Sequence, residues 1–174
     1  MKKAIIALLM VLCAVTLFAA SWSQTIHLVS VVESVEPNFY LGIKHVENGY
    51  AESVSNTEVS IFSHNVRENV VASFEIGQMF SRYMGQIEVA ISVSELCWNG
   101  YHTENLQISG KVNETKGRTG YSVVSGNNIT FNLDYSGKYV EDSVAAEFSV
   151  VYNGNANLPN ETYVSYVRMA IEVK

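Results

Sequence analysis

Histidine and cysteine are the residues of this chain best suited to hold a metal ion, and their spacing predicts no such site. No two histidines are spaced to lie on one side of a strand, and none has metal-ligand spacing to Cys97. His102-Thr103-Glu104 matches the start of a zinc deaminase motif, but the chain lacks the paired cysteines that complete it. We therefore predict no metal site and no cofactor. The histidines are His27, His45, His64 and His102.

Carboxylates could support acid–base chemistry, but their arrangement does not favour it. Glu33 and Glu36 are close in sequence. On a strand, however, their odd separation sends the two side chains to opposite faces. The sequence contains no nucleophile elbow and no glycine-rich phosphate-binding loop. We therefore predict no catalytic residue and expect that the protein is not an enzyme.

Tyrosines in the second half of the chain allow two interpretations. Exposed together, they would form an aromatic platform for a sugar. Tyrosine is also a favourable strand residue, with an apolar ring and a hydroxyl that stays hydrated. The residues concerned are Tyr101, Tyr121, Tyr135, Tyr139, Tyr152, Tyr163 and Tyr166.

The first residues have the three regions of an export signal. Lys2 and Lys3 precede the apolar run Ala4–Ala20, which ends in small residues that suit a signal peptidase. We predict a signal peptide over residues 1–21 and one domain over 22–174, in the periplasm or at the cell surface. An uncleaved membrane anchor is the alternative. The net charge of −6 disfavours nucleic acid as a partner, because phosphate contacts need clustered lysine and arginine.

Cys97 is the single cysteine of the predicted mature chain, since Cys13 lies inside the signal. An exported domain held by disulfides would have an even set of cysteines. We therefore expect strand pairing and packing to hold the fold. Free cysteine usually behaves as a small buried hydrophobe, and this is our prediction for Cys97. An intermolecular disulfide is the alternative.

Apolar residues alternate with polar ones through most of the mature chain, which predicts strands. Turn sequences such as Asn48-Gly49 and Asn99-Gly100 separate them. Because no βαβ rhythm appears, we predict an all-β antiparallel sandwich, with its longest loop over Glu47–Glu58. Val59–Phe62 suits either a strand or a helical turn. The other predicted strands cover 38–46, 70–76, 87–93, 106–112, 120–124, 129–133, 144–152 and 167–173.

One further strand, Thr25–Val35, follows the signal with no linker. An alternating strand at a free N-terminus invites pairing with another chain. It therefore has two possible destinations, its own sheet or that of a neighbour.

Two terminal segments of the chain are similar to segments found in a known protein family. Ile26–Ile43 contains Val35-Glu36-Pro37 after an alternating strand, and Leu158–Val173 contains Pro159, then Tyr163, then a last alternating strand. In this the chain resembles subunits of chaperone–usher fimbriae, especially the colonisation-factor pilins. The resemblance implies an immunoglobulin-like sandwich that lacks one strand. It also implies donor-strand complementation, in which the N-terminal strand of the next subunit completes the fold.

The resemblance implies the partners and the interacting residues. Other copies or related subunits are the expected partners, with a periplasmic chaperone and an outer-membrane usher. The donor face of the N-terminal strand, chosen because it carries no charge, consists of Ile26, Leu28, Ser30 and Val32. The expected acceptor edge consists of Val167, Met169, Ile171 and Val173.

The predicted function is that of an exported structural or adhesive subunit of a fimbria-like assembly. The alternative is a monomeric periplasmic or secreted binding module. In that case the N-terminal strand closes its own sheet and the tyrosines bind a ligand such as a glycan.

Overall fold

The computed structural model describes residues 38–79, 83–136, 140 and 143–174, all within one compact unit, Ser34–Lys174. Every regular element in these ranges is a strand, which confirms the all-β prediction. The strands are β1 (Phe39–Glu47), β2 (Tyr50–Ser55), β3 (Glu58–Ser63), β4 (Val70–Gln78), β5 (Met84–Val93), β6 (Cys97–Trp98), β7 (Tyr101–His102), β8 (Gln107–Val112), β9 (Arg118–Ser125), β10 (Asn128–Ser136), β11 (Val144–Tyr152) and β12 (Tyr163–Val173).

The strands form two antiparallel sheets that pack against each other as a sandwich. The four-stranded sheet has the order β1-β4-β11-β8. The eight-stranded sheet has the order β2-β3-β12-β5-β10-β9, and the short β6–β7 hairpin joins it through β6 and β12. Every pair of neighbouring strands is antiparallel.

The core lies between the inner faces of the two sheets. Strand β5 shows how the sequence builds it, since Ile87, Val89, Ile91 and Val93 all point inward and are buried. From the facing sheet, the ring of Phe148 lies 6.2 Å from that of Phe131 on β10. Alternation of period two thus places one apolar row of each strand in the core.

Several predictions about local structure need correction or can be narrowed. Glu47–Glu58 is not a long loop, because β2 (Tyr50–Ser55) forms within it. The residues of this edge strand are largely exposed on both faces, so no apolar alternation announced it. Val59–Phe62 is a strand, as part of β3, and not a helical turn. The β6–β7 hairpin was also missed, because its strands are two residues each.

Cys97 is exposed, so the prediction of a buried residue is wrong. It lies on β6, opposite Val164 at the margin of the eight-stranded sheet. The predicted signal peptide and the N-terminal strand Thr25–Val35 lie outside the described residues.

Candidate functional site

The C-terminal strand β12 lies inside the eight-stranded sheet, between β3 and β5. Both edges are paired at Val167, which lies opposite Val59 on β3 and Val93 on β5. Its side chain is fully buried. The structure therefore places this member of the expected acceptor set in the interior of the sheet.

The last residues of β12 lose one of their two neighbours. Pairing with β3 ends at Arg168, followed by one hydrogen bond of 2.8 Å from the Met169 amide to the Thr57 carbonyl. Pairing with β5 continues to Val173. Within the described part of the chain, no strand pairs with the other edge of β12 beyond Met169.

Ile171 and Val173 form the edge of β12 that no described strand pairs with. The Met169 amide points away from β5, whereas the Lys174 amide donates to Gln86 of β5 at 2.9 Å. Because backbone groups alternate along a strand, the N–H and C=O groups of Ile171 and Val173 point away from β5, toward the free edge.

The side chains of the same two residues lie on the core face but remain open to solvent. They share that face with Met169, which is 7% exposed, yet Ile171 is 39% and Val173 44% exposed. An apolar side chain on a core face is normally covered by another element. Within the described part of the chain, these two side chains are left exposed at the position where pairing with β3 also stops.

Strand β1 of the four-stranded sheet also has an edge that faces away from its partner β4. The Asn38 carbonyl accepts a hydrogen bond from Met79, so the backbone groups of Phe39 and Leu41 alternate to the side away from β4. The Leu41 amide uses this side to donate to Asn56 at 2.8 Å. Ile43 lies on the side of Leu41 away from Phe39, opposite the buried Phe74, and is itself 38% exposed.

Because the Leu41 and Met169 amides donate to the adjacent residues Asn56 and Thr57, we infer that the edges of β1 and β12 run side by side, and we name the space between Phe39 and the pair Ile171 and Val173 the strand slot. The turn residues Asn56 and Thr57 close it at one end, since they bond to β1 and β12 respectively. Among the described residues, no strand pairs with the outward backbone groups of Ile171 and Val173, and both side chains are exposed apolar groups. Chemically, this arrangement can accept an extended polypeptide strand.

The other wall of the slot was missed by sequence reasoning, although its signal was available. Phe39 begins an alternating row with Leu41 and Ile43, like that of β12, and the part of this row at Phe39 borders the slot. The donor residues Ile26, Leu28, Ser30 and Val32 lie outside the described residues.

Two of the three histidines that the structure describes make local contacts. His102 Nδ1 lies 2.9 Å from Glu95 Oε2, and His64 Nδ1 lies 2.8 Å from Thr162 Oγ1. Among the described residues, no three histidine, cysteine or acidic side chains come together as metal ligands.

The tyrosines do not form one surface. Tyr135, Tyr152 and Tyr163 are buried in the core. Burial raises the pKa of the Tyr152 phenol above its ordinary value of 10.0. The exposed tyrosines of the predicted group are Tyr101, Tyr121 and Tyr166, and Tyr139 lies outside the described ranges.

Comparisons of the chain with protein-family models, with curated proteins and with solved structures found no match. In the described ranges, no helix has the length and apolar character needed to cross a membrane.

Proposed function

We propose that this protein is an exported structural subunit that assembles into a surface fibre by strand donation. One observation carries the proposal: at Ile171 and Val173, backbone groups that no described strand pairs with coincide with exposed side chains on the core face. A β-sandwich with such an opening is incomplete, and an added strand would complete it. The resemblance to fimbrial subunits supports the same mechanism, with an immunoglobulin-like topology.

The proposed donor is Ile26–Val32 of a second copy. Its residues Ile26, Leu28 and Val32 recur at even spacing, as do Ile171 and Val173 of the slot. An extended strand can therefore direct one apolar row into the core while its backbone pairs with β12. A periplasmic chaperone would occupy the slot before an usher guides the exchange.

The apolar contribution is large enough for a durable joint. Burying the three large side chains of the donor contributes about 1.5–3 kcal/mol each before the cost of ordering the strand. The uncovered parts of Ile171 and Val173 add to this. The backbone hydrogen bonds contribute a further 0.5–1.5 kcal/mol each, on the order found for folded proteins.

The first test is assembly of the chain from residue 22 onward, followed by sedimentation velocity. We expect oligomers from this chain and monomers from a variant lacking Gln24–Val32. Ile171→Asp, which puts a charge in the slot, should also prevent assembly. Ala170→Asp is the matched control, because Ala170 is exposed and its side chain points to the opposite face.

The second test distinguishes donation from closure within one chain. A synthetic peptide of Thr25–Val35 should raise the melting temperature of the variant that lacks Gln24–Val32, by an amount that grows with peptide concentration. If the chain from residue 22 onward stays monomeric, and the peptide does not raise the melting temperature of the deletion variant, the result would instead support a monomeric binding module.

A further inference from the structure

A second opening lies on the outer face of the eight-stranded sheet. It is a groove of about 440 Å³ over β9, β10 and β5. The strands β9 and β10 approach closely below it, because a Cβ atom on Gly120 would clash with the Asn132 carbonyl. We name this opening the outer groove. Its side-chain walls include Gln86, Glu114, Thr119, Tyr121, Asn132, Asp134 and Lys174.

The strand register places hydrogen-bonding side chains in two adjacent rows across the outer groove. In the first row, Asp134 of β10 lies directly between Thr119 of β9 and Gln86 of β5. In the second row, Asn132 lies between Tyr121 and Glu88. Neighbouring strands are about 4.8 Å apart, so each row presents polar groups at a regular spacing.

Charges at the outer groove are partly neutralised. Lys174 forms an ion pair with Glu88, and this contact raises the pKa of the lysine above its ordinary value of 10.5. Asp134 is exposed and has no ion pair among the described residues. The first row therefore offers a carboxylate as an acceptor, an amide as donor and acceptor, and a hydroxyl.

Tyr121 adds an apolar surface to this polar floor. It is 63% exposed, and it adjoins Asn132 across the sheet. An exposed aromatic ring beside a carboxylate and two amides suits a ligand that has one apolar face and many hydroxyl groups. A pyranose sugar has both features, since its C–H groups can stack on a ring while its hydroxyls bond to planar side chains.

We propose that the outer groove binds a neutral saccharide, with Tyr121 as the stacking residue and Asp134, Asn132 and Gln86 as hydrogen-bonding residues. Its volume falls within the range of about 300–1,000 Å³ that is usual for small-ligand sites. The outer groove and the strand slot involve opposite faces of the eight-stranded sheet. This proposal therefore stands whether or not the slot accepts a strand.

The test is a titration of the isotope-labelled chain with a panel of neutral disaccharides containing glucose, galactose or mannose, followed by amide NMR. At least one sugar should shift amides of 119–121 and 132–134. Tyr121→Ala should weaken that binding about tenfold. Tyr121→Phe should retain it, since the ring remains. Tyr166→Ala is the matched control, because Tyr166 is exposed at 43% on the same sheet outside the groove.

Three outcomes would overturn the proposal. The first is a panel in which no sugar shifts the amides of the outer groove. The second is an equal loss of binding in Tyr121→Ala and Tyr166→Ala, both of which must first show the wild-type melting temperature. The third is the same shifts with calcium chloride alone, which would make Asp134 part of a cation site.

Discussion

The hydroxyl of Tyr152 lies 2.7 Å from Ser165 Oγ and joins the two sheets through the core. Tyr152 ends β11 in one sheet, and Ser165 belongs to β12 in the other. A second link of 2.7 Å runs from the Tyr135 hydroxyl to Gln78 Oε1. Because all four side chains are buried, the two links are protected from water and help to hold the sheets together.

Tyr152→Phe should lower the free energy of unfolding by about 1–2 kcal/mol, since it removes the link but keeps the ring. Ser165 retains its hydrogen bond of 2.7 Å to the Ser94 carbonyl, so the loss should not exceed this range. Urea denaturation measures the change. Tyr121→Phe is the control and should leave stability unchanged. Equal stability of the two variants would show that the buried link contributes nothing.

Glu147→Gln should make the stability of the sandwich less dependent on acid pH. On the four-stranded sheet, Glu147 contacts Lys44 at 2.5 Å and Lys111 at 3.7 Å, and the hydrogen bond from Lys44 lowers its pKa below the ordinary 4.5. A lowered pKa stabilises the fold above 4.5, and this contribution is lost as the pH falls through the folded value.

The difference in stability between wild type and Glu147→Gln should therefore be small but present at neutral pH and should shrink below pH 4.5. Added salt should also shrink it at neutral pH, since both partners are partly exposed. Denaturant melts over a pH series test this. If the difference in stability between the two proteins widens in acid, the assignment of the ion pair would be contradicted.

Gly120→Ala should destabilise the protein by about 1–3 kcal/mol, because the new methyl group must push β9 away from β10. The clash is with the Asn132 carbonyl, a backbone atom that cannot swing aside. Urea denaturation tests it, with Tyr121→Ala as the neighbouring control on the exposed face. A change of less than about 0.5 kcal/mol, typical of surface substitutions, would mean that the hairpin adapts freely.

The Cys97 thiol should react with iodoacetamide in the native protein, since its side chain is exposed. Partial burial, with Glu95 as a second cause, raises its pKa above the ordinary 9.0. The reaction should therefore be slow at neutral pH and accelerate above pH 9, more slowly at each pH than in the urea-unfolded chain. Mass spectrometry follows it, and complete protection in the native state would restore the original prediction of burial.

Much of the sandwich could be predicted because core strands carry a visible pattern. Ile87, Val89, Ile91 and Val93 alternate without interruption, and all four are buried. Strand β2 has no such pattern, because both of its faces are largely exposed. Arg118 was not predicted as a core residue, because a charged side chain is normally expected at the surface. It is buried at 1% exposure, where carbonyls of Asn113 and Val144 accept its hydrogen bonds.

The sites depend on register, which alternation alone does not determine. The sequence suggested Val167 and Ile171 equally as acceptor residues, yet β3 covers only the first. Likewise, Tyr121 and Asn132 lie on different strands in the sequence but are directly adjacent across β9 and β10. Strand order and register are set by the whole fold, so the slot and the outer groove became visible only with the sheets in place.

Disulfide trapping between two copies tests strand donation most directly. On a Cys97→Ser background, Leu28→Cys in one copy and Val173→Cys in a second copy of different mass would be mixed during refolding and oxidised. Strand donation predicts a disulfide that joins the two copies, whereas a control pair with Ala170→Cys in place of Val173→Cys should remain unlinked. The account would be contradicted if no link formed between copies and a single chain carrying both Leu28→Cys and Val173→Cys closed on itself.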